Sequence, residues 1–153
     1  MERILEAERE SEETFATLCD LEFDPAARIV QLRMAGHPTP LIVGHDDVLA
    51  LPDGHGGPLL GVFEDATWPS TTIDLGEIWT LVVFTDGIIE GHDPDGHERF
   101  DSRALAHAAA ATAPRMSPQR LADTLVAAAE EANGEPLTDD VALVIFSTAS
   151  TVR

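Results

Sequence analysis

Four consecutive apolar residues, Leu81-Val82-Val83-Phe84, run straight into Thr85-Asp86-Gly87. Successive side chains of a strand point to opposite faces, so a strand of this kind is expected to be buried on both sides. That demands a sheet with further layers around it. Asp86 would then be held rigidly at the rim of the sheet, and Gly87 would let a second backbone approach closely. Asp-Gly is also a common hairpin turn. On these residues alone two readings stand: a turn residue, or a carboxylate placed to grip a cation.

The flanking sequence supplies the rest of a sheet. "TFATLCDLEF" from Thr14 alternates and is rich in β-formers, "DPAA" turns, and "RIVQLRMA" alternates again. "GHPTP" breaks the chain before short strands at 41–43 and 48–51, and a Gly-rich loop, "PDGHGGPLLGVF", follows. "STTIDLGEIWTLVVFTDG" reads as two antiparallel strands joined at Leu75-Gly76-Glu77. Helices come late. Asp101 caps a helix over 102–112, and Ser117-Pro118 starts another that ends at Gly134. Leu121, Leu125, Ala128 and Ala132 form its expected apolar face. A last strand is expected over 141–146, and residues 2–13 suit the exposed end of a helix. The expected fold class is α+β, an antiparallel sheet architecture with segregated helices in one domain over 1–153.

Several chemistries lack support. "GHDPDG" fails as an EF-hand because Gly91 and Ser102 would occupy the two anchor positions. The six histidines (37, 45, 55, 92, 97 and 107) show no helical H-x-x-x-H spacing. No serine lies in a G-x-S-x-G elbow. Cys19, the single cysteine, reads as a core residue of a strand and has no disulfide partner. Asp139-Asp140 directly precedes the final apolar strand. Adjacent carboxylates repel, and a divalent cation would offset that repulsion, although a solvated loop also accounts for the pair. Gly36 and His37 in "AGHPTP", with Gly57 and Gly61 in "GGPLLGVF", are expected in tight structural loops.

Charge narrows the partners. With 28 Asp plus Glu against nine Lys plus Arg, the formal charge is −19. That argues against nucleic acid as a partner, since its phosphates need basic contacts. Solubility is the simpler account of so acidic a chain, and a carboxylate site for cations is the sharper one. No apolar run approaches the ~20 residues that span a bilayer, so no membrane partner is expected. "MERILEAERESEE" is charged throughout, unlike a signal peptide, and with one cysteine a cytoplasmic location is expected.

In order, "FATLCDLEFDPAARIVQLRMAGHPTPLIV", "GGPLLGVF", "LGEIWTLVVFTDGIIEGHD" and "TDDVALVIF" resemble the bacterial PPM-type phosphatases. These are protein phosphatase 2C-like, metal-dependent serine/threonine phosphatases of the stage II sporulation protein E branch. The resemblance runs from about Thr14 to Phe146. It implies a β-sandwich flanked by helices, with two Mn²⁺ or Mg²⁺ ions that activate a water to attack phosphoserine or phosphothreonine. It makes Asp86 and Asp139 metal ligands, with Gly87 and Asp140 in support, and sets the loops of Gly36, His37, Gly57 and Gly61 near the site. The implied substrate is a phosphorylated anti-sigma-factor antagonist of STAS type.

Members of that family also carry N-terminal strands with a G-D-x-x-G-type motif whose aspartate bridges the two metals. No aspartate precedes Thr14 here. The resemblance therefore implies an N-terminally incomplete domain, a partial metal site, exposed edges open to homodimer formation, and a very poor phosphatase in this polypeptide alone. The alternative is a non-catalytic regulatory or protein-binding module that keeps the phosphatase fold. Retention of Asp86 and Asp139 favours the enzyme.

Overall fold

A strand of alternating polarity finds its place by covering its apolar face, and that rule organises the first part of the chain. The computed structural model describes residues 5, 14–44, 48–50 (backbone only), 56–63, 65–77, 79–89, 100–112 and 116–148. Its elements are β1 (Leu18–Asp24), β2 (Ile29–Ala35), β3 (Leu41–Val43), β4 (Val48–Ala50), β5 (Thr71–Asp74), β6 (Thr80–Phe84), α1 (Ser102–Thr112), α2 (Pro118–Asn133) and β7 (Leu143–Ser147). A single 3-10 turn, Asp86–Ile88, follows β6. The chain divides into two compact units, one of Met1–Thr39 with Pro52–Leu75, the other of Pro40–Leu51 with Gly76–Arg153. The α+β class with antiparallel sheets is borne out.

The first unit carries the sheet β1-β2-β5. β1 and β2 pair antiparallel from Leu18 opposite Ala35 to Asp24 opposite Ile29. The expected "DPAA" turn is present, and Asp24 Oδ1 closes it by accepting from the Ala26 and Ala27 amides, both at 2.9 Å. Val30, Leu32 and Met34 are buried along one face of β2. On the other face Arg33 lies opposite Asp20, and the pair forms a half-exposed ion pair at 3.3 Å. Such a pair contributes little, since water screens both partners.

Cys19 is only half-buried, short of the core position expected from its strand pattern. Burial, and secondarily the charge of Asp20, push its thiol from the ordinary 9.0 up to about 11. Its alkylation rate in the folded protein is expected to be low at pH 8 and to rise as pH approaches 11. In denaturant the same rise should come near the ordinary thiol value. Because the folded state holds the proton more tightly, this group's contribution to stability is complete below pH 9.0 and disappears as pH passes about 11. Identical rate profiles for the folded and unfolded protein would contradict this.

The loops of the first unit lock onto each other. Gly57 donates to the Met34 carbonyl at 2.8 Å, and Gly36 donates to that of Gly57 at 2.9 Å. Trp68 lies against Gly57, where an added Cβ would fall 2.4 Å from its ring, and its Nε1–H donates to the Pro58 carbonyl at 2.7 Å. Only glycine fits that contact. Gly36 has φ 59, and Gly61 lies against the backbone of Thr14 and Phe15. The His37 ring donates from Nδ1 to the Pro38 carbonyl at 2.8 Å.

In the second unit the sheet order is β4-β3-β6-β7, antiparallel throughout, so β6 lies inside the sheet. Val82 and Phe84 join Leu41 and Val43 in a core closed by Ile88, Phe100, Leu105 and Ala109, with Leu121, Leu125 and Ala129 from α2. Leu81, on the opposite face of β6, is buried as well. The expectation of a strand covered on both sides is met. Asp101 caps α1 through Oδ1, which accepts from the Arg103 and Ala104 amides at 3.0 and 2.8 Å. Ser117 and Gly134 delimit α2 as expected, with Gly134 at φ 71.

Three expectations need correction. β5 and β6 do not form a hairpin: β5 pairs with β2, and β6 pairs with β3 and β7. A strand apolar on both faces takes an interior position, and the adjacent β5 in sequence cannot provide one. The buried face of α2 is Leu121, Leu125, Ala129 and Asn133, while Ala132 is exposed. Ala128 is half-buried and packs against the same core, so the departure from the expected face is confined to Ala132. The last strand starts at Leu143, two residues later than expected, because residues 139–142 serve another purpose. Residues 2–13, apart from helical Leu5, lie outside the described residues, as do Glu90, the "GHDPDG" loop and His45, His55, His92 and His97. His107 is exposed on α1. No helix among the described residues is long and apolar enough to cross a membrane.

Candidate metal centre

The pairing of β6 with β7 continues one step beyond the strands. Phe84 lies opposite Leu143, and the Thr85 amide then donates to the Ala142 carbonyl at 3.0 Å. There the main chain turns away. Ile88 donates to the Thr85 carbonyl at 3.4 Å and Ile89 to that of Asp86 at 2.7 Å, forming the 3-10 turn. Phe84 before the turn and Ile88 within it are buried, which anchors the segment at both ends. Asp86 is thus no hairpin residue. It projects into solvent from a turn rooted in the core.

The segment preceding β7 closes on this turn. Gly87 is buried, and a Cβ on it would fall 2.7 Å from the Asp140 carbonyl oxygen and 3.3 Å from Asp139 Cβ. Without a side chain, Gly87 brings the two acidic segments into contact. The Thr85 hydroxyl adds two hydrogen bonds, donating to the Asp140 carbonyl at 3.1 Å and accepting from the Ala142 amide at 2.8 Å. Asp139 Oδ1 accepts from the Asp140 amide at 2.7 Å, which orients its carboxylate. Asp86, Asp139 and Asp140 are all exposed, and among the described residues none has a basic partner.

The structure therefore brings together Asp86, Gly87, Asp139 and Asp140, distant in sequence. Gly36, His37, Gly57 and Gly61 belong to the first unit. Thr85 escaped the sequence reading, although a hydroxyl between a buried strand and an aspartate was a visible signal. The donor chemistry fits a hard divalent cation, since carboxylate oxygens are what Mn²⁺ and Mg²⁺ prefer. The fit is partial, because no group of three Asp, Glu, His or Cys side chains suited to a metal occurs among the described residues.

A family model described as stage II sporulation protein E (SpoIIE) matches residues 1–149. Among solved structures, the SiaA-PP2C domain of Pseudomonas aeruginosa aligns with TM-score 0.80 at 20% identity, covering 96% of this chain and 57% of that one. The RsbU and RsbW domains of Rv1364c from Mycobacterium tuberculosis align with TM-score 0.75 at 27% identity, over 98% of this chain and 40% of that one. The phosphatase domain of the cell fate determinant SpoIIE from Bacillus subtilis, presoaked with Mn, aligns with TM-score 0.71 at 16% identity, over 99% and 65%. The chain thus spans 40–65% of the length of these three relatives. A comparison with curated proteins finds no match.

Proposed function

Because the chain belongs to the stage II sporulation protein E (SpoIIE) family of PP2C-like serine/threonine phosphatases, we propose that it takes part in metal-dependent dephosphorylation of phosphoserine or phosphothreonine in a regulatory protein. The observation that carries this reading is the seating of Gly87 against the Asp140 carbonyl and Asp139 Cβ, which brings the turn that carries Asp86 against the segment that carries Asp139. Asp86 and Asp139 would hold Mn²⁺ or Mg²⁺ through their exposed carboxylates. Gly87 permits the approach, and Asp140 supports the site by fixing the Asp139 side chain through its amide. Bound there, the cation supplies Lewis acidity toward water and neutralises phosphoryl oxygens. The Mn presoak of the B. subtilis SpoIIE phosphatase domain supports the choice of metal.

The substrate class in this reading is a small phosphorylated anti-sigma-factor antagonist of STAS type. Likeness to a protein that carries RsbU and RsbW domains supports a role in such a regulatory pathway. Phosphate release from a phosphoserine-bearing STAS-type protein is expected to be slow for this polypeptide, to require Mn²⁺ and to fall to background in chelator. Release at an unchanged rate in chelator, or failure of the chain to take up Mn²⁺ at millimolar concentration, would count against the proposal.

A further inference from the structure

Thr85 occupies the point where a regular ladder ought to fail. In a hydrogen-bonded antiparallel pair each residue gives its N–H to the other's carbonyl. Thr85 gives its amide to Ala142, but its own carbonyl has turned into the 3-10 turn and accepts from Ile88. The Ala142 amide is met instead by the Thr85 hydroxyl at 2.8 Å. The same hydroxyl donates its proton to the Asp140 carbonyl, 55 residues away in sequence, at 3.1 Å. A side chain thus replaces a main-chain acceptor, which lets the backbone leave the strand after Thr85 while the facing segment stays attached.

The Asp140 carbonyl is consequently held from two directions. Thr85 Oγ1 bonds it on one side, and the bare Cα of Gly87 leaves space for it on the other. Asp86 lies between those two residues, and Asp139 immediately precedes the gripped carbonyl. We infer that Thr85 is a positioning residue that sets the spacing of the Asp86 and Asp139 carboxylates, so that metal affinity depends on its hydroxyl. This rests on the proposed metal-binding role of the two aspartates. Outer-shell partners of this type set ligand geometry, and their loss typically weakens metal binding about 10–100-fold.

The test uses Thr85→Val, close in shape but without the hydroxyl, and Thr85→Ser, which restores it. Each is titrated with Mn²⁺ by calorimetry and melted without metal. Thr85→Val is expected to bind Mn²⁺ on the order of tenfold more weakly than the unaltered chain, and Thr85→Ser to bind like it. A role confined to stability would lower the melting temperature of Thr85→Val and leave the affinity of the folded protein unchanged. That result, with Asp86→Asn still weakening binding, overturns the positioning role while the metal reading stands. No Mn²⁺ uptake by the unaltered chain overturns both. Should Thr85→Val not fold, Thr85→Ala is titrated in its place; if neither hydroxyl-free variant folds, the hydroxyl is a folding requirement and the positioning role is overturned.

Discussion

Asp86→Asn is expected to weaken Mn²⁺ binding by on the order of 100-fold or more, beyond the range typical of outer-shell changes. Asparagine keeps the shape of the side chain and one carbonyl oxygen, and removes the negative charge. Hard divalent ions bind chiefly through anionic oxygen, so the charge is the larger loss. With no group of three side chains suited to hold a metal among the described residues, little remains to compensate. The fold should not suffer. Asp86 is exposed and lacks a basic partner among the described residues, so its neutralisation relieves repulsion with Asp139 and Asp140. The metal-free variant should melt no lower than the unaltered chain. Calorimetric titration with Mn²⁺ reads the first effect and thermal melting without metal the second. Equal Mn²⁺ affinity in the two proteins would remove Asp86 from the site.

Phe84→Ala is expected to cost about 3–5 kcal/mol of stability. Phe84 is 1% exposed and packs in the cluster of β3, β6, α1 and α2 side chains. The change removes a large apolar surface and leaves a cavity that helices capped at fixed ends can only partly fill. Small domains are stable by only about 5–15 kcal/mol, so the loss is a large share of the whole. It should appear in urea as a lower midpoint with an unchanged slope. The variant bears on the site too, because Phe84 immediately precedes Thr85 and anchors the turn that carries Asp86. A loss below about 1 kcal/mol, the scale of ordinary surface changes, would mean that the β6 anchor is not the keystone of this core.

Local chemistry made much of the chain legible. Asp101 and Ser117 announce helix starts because a short oxygen-bearing side chain satisfies amides that the first turn leaves open, and both do so here. β2 is readable because Val30, Leu32 and Met34 alternate with polar neighbours. The partners of β5 and the exposure of Ala132 on α2 were not readable in this way. They depend on which surfaces remain to be covered once distant segments have assembled, and neither periodicity nor turn chemistry carries that information.

The same division runs through the candidate site. The residue types were determined by the sequence alone: a carboxylate and a glycine at the end of a doubly apolar strand, a second carboxylate pair before another strand, and a family resemblance that assigns them to metal. Only the tertiary structure removed the hairpin turn and left the proposed cation site as the reading of Asp86. It did so by placing β6 inside a sheet, where the chain beyond Phe84 cannot return beside itself and the Asp139-Asp140 segment arrives instead. Thr85 became visible at the same step, since a hydroxyl that replaces a ladder carbonyl exists as a function only when both strands are present. A sequence specifies donors and acceptors one residue at a time, whereas the distance between two carboxylates is set by everything that packs beneath them.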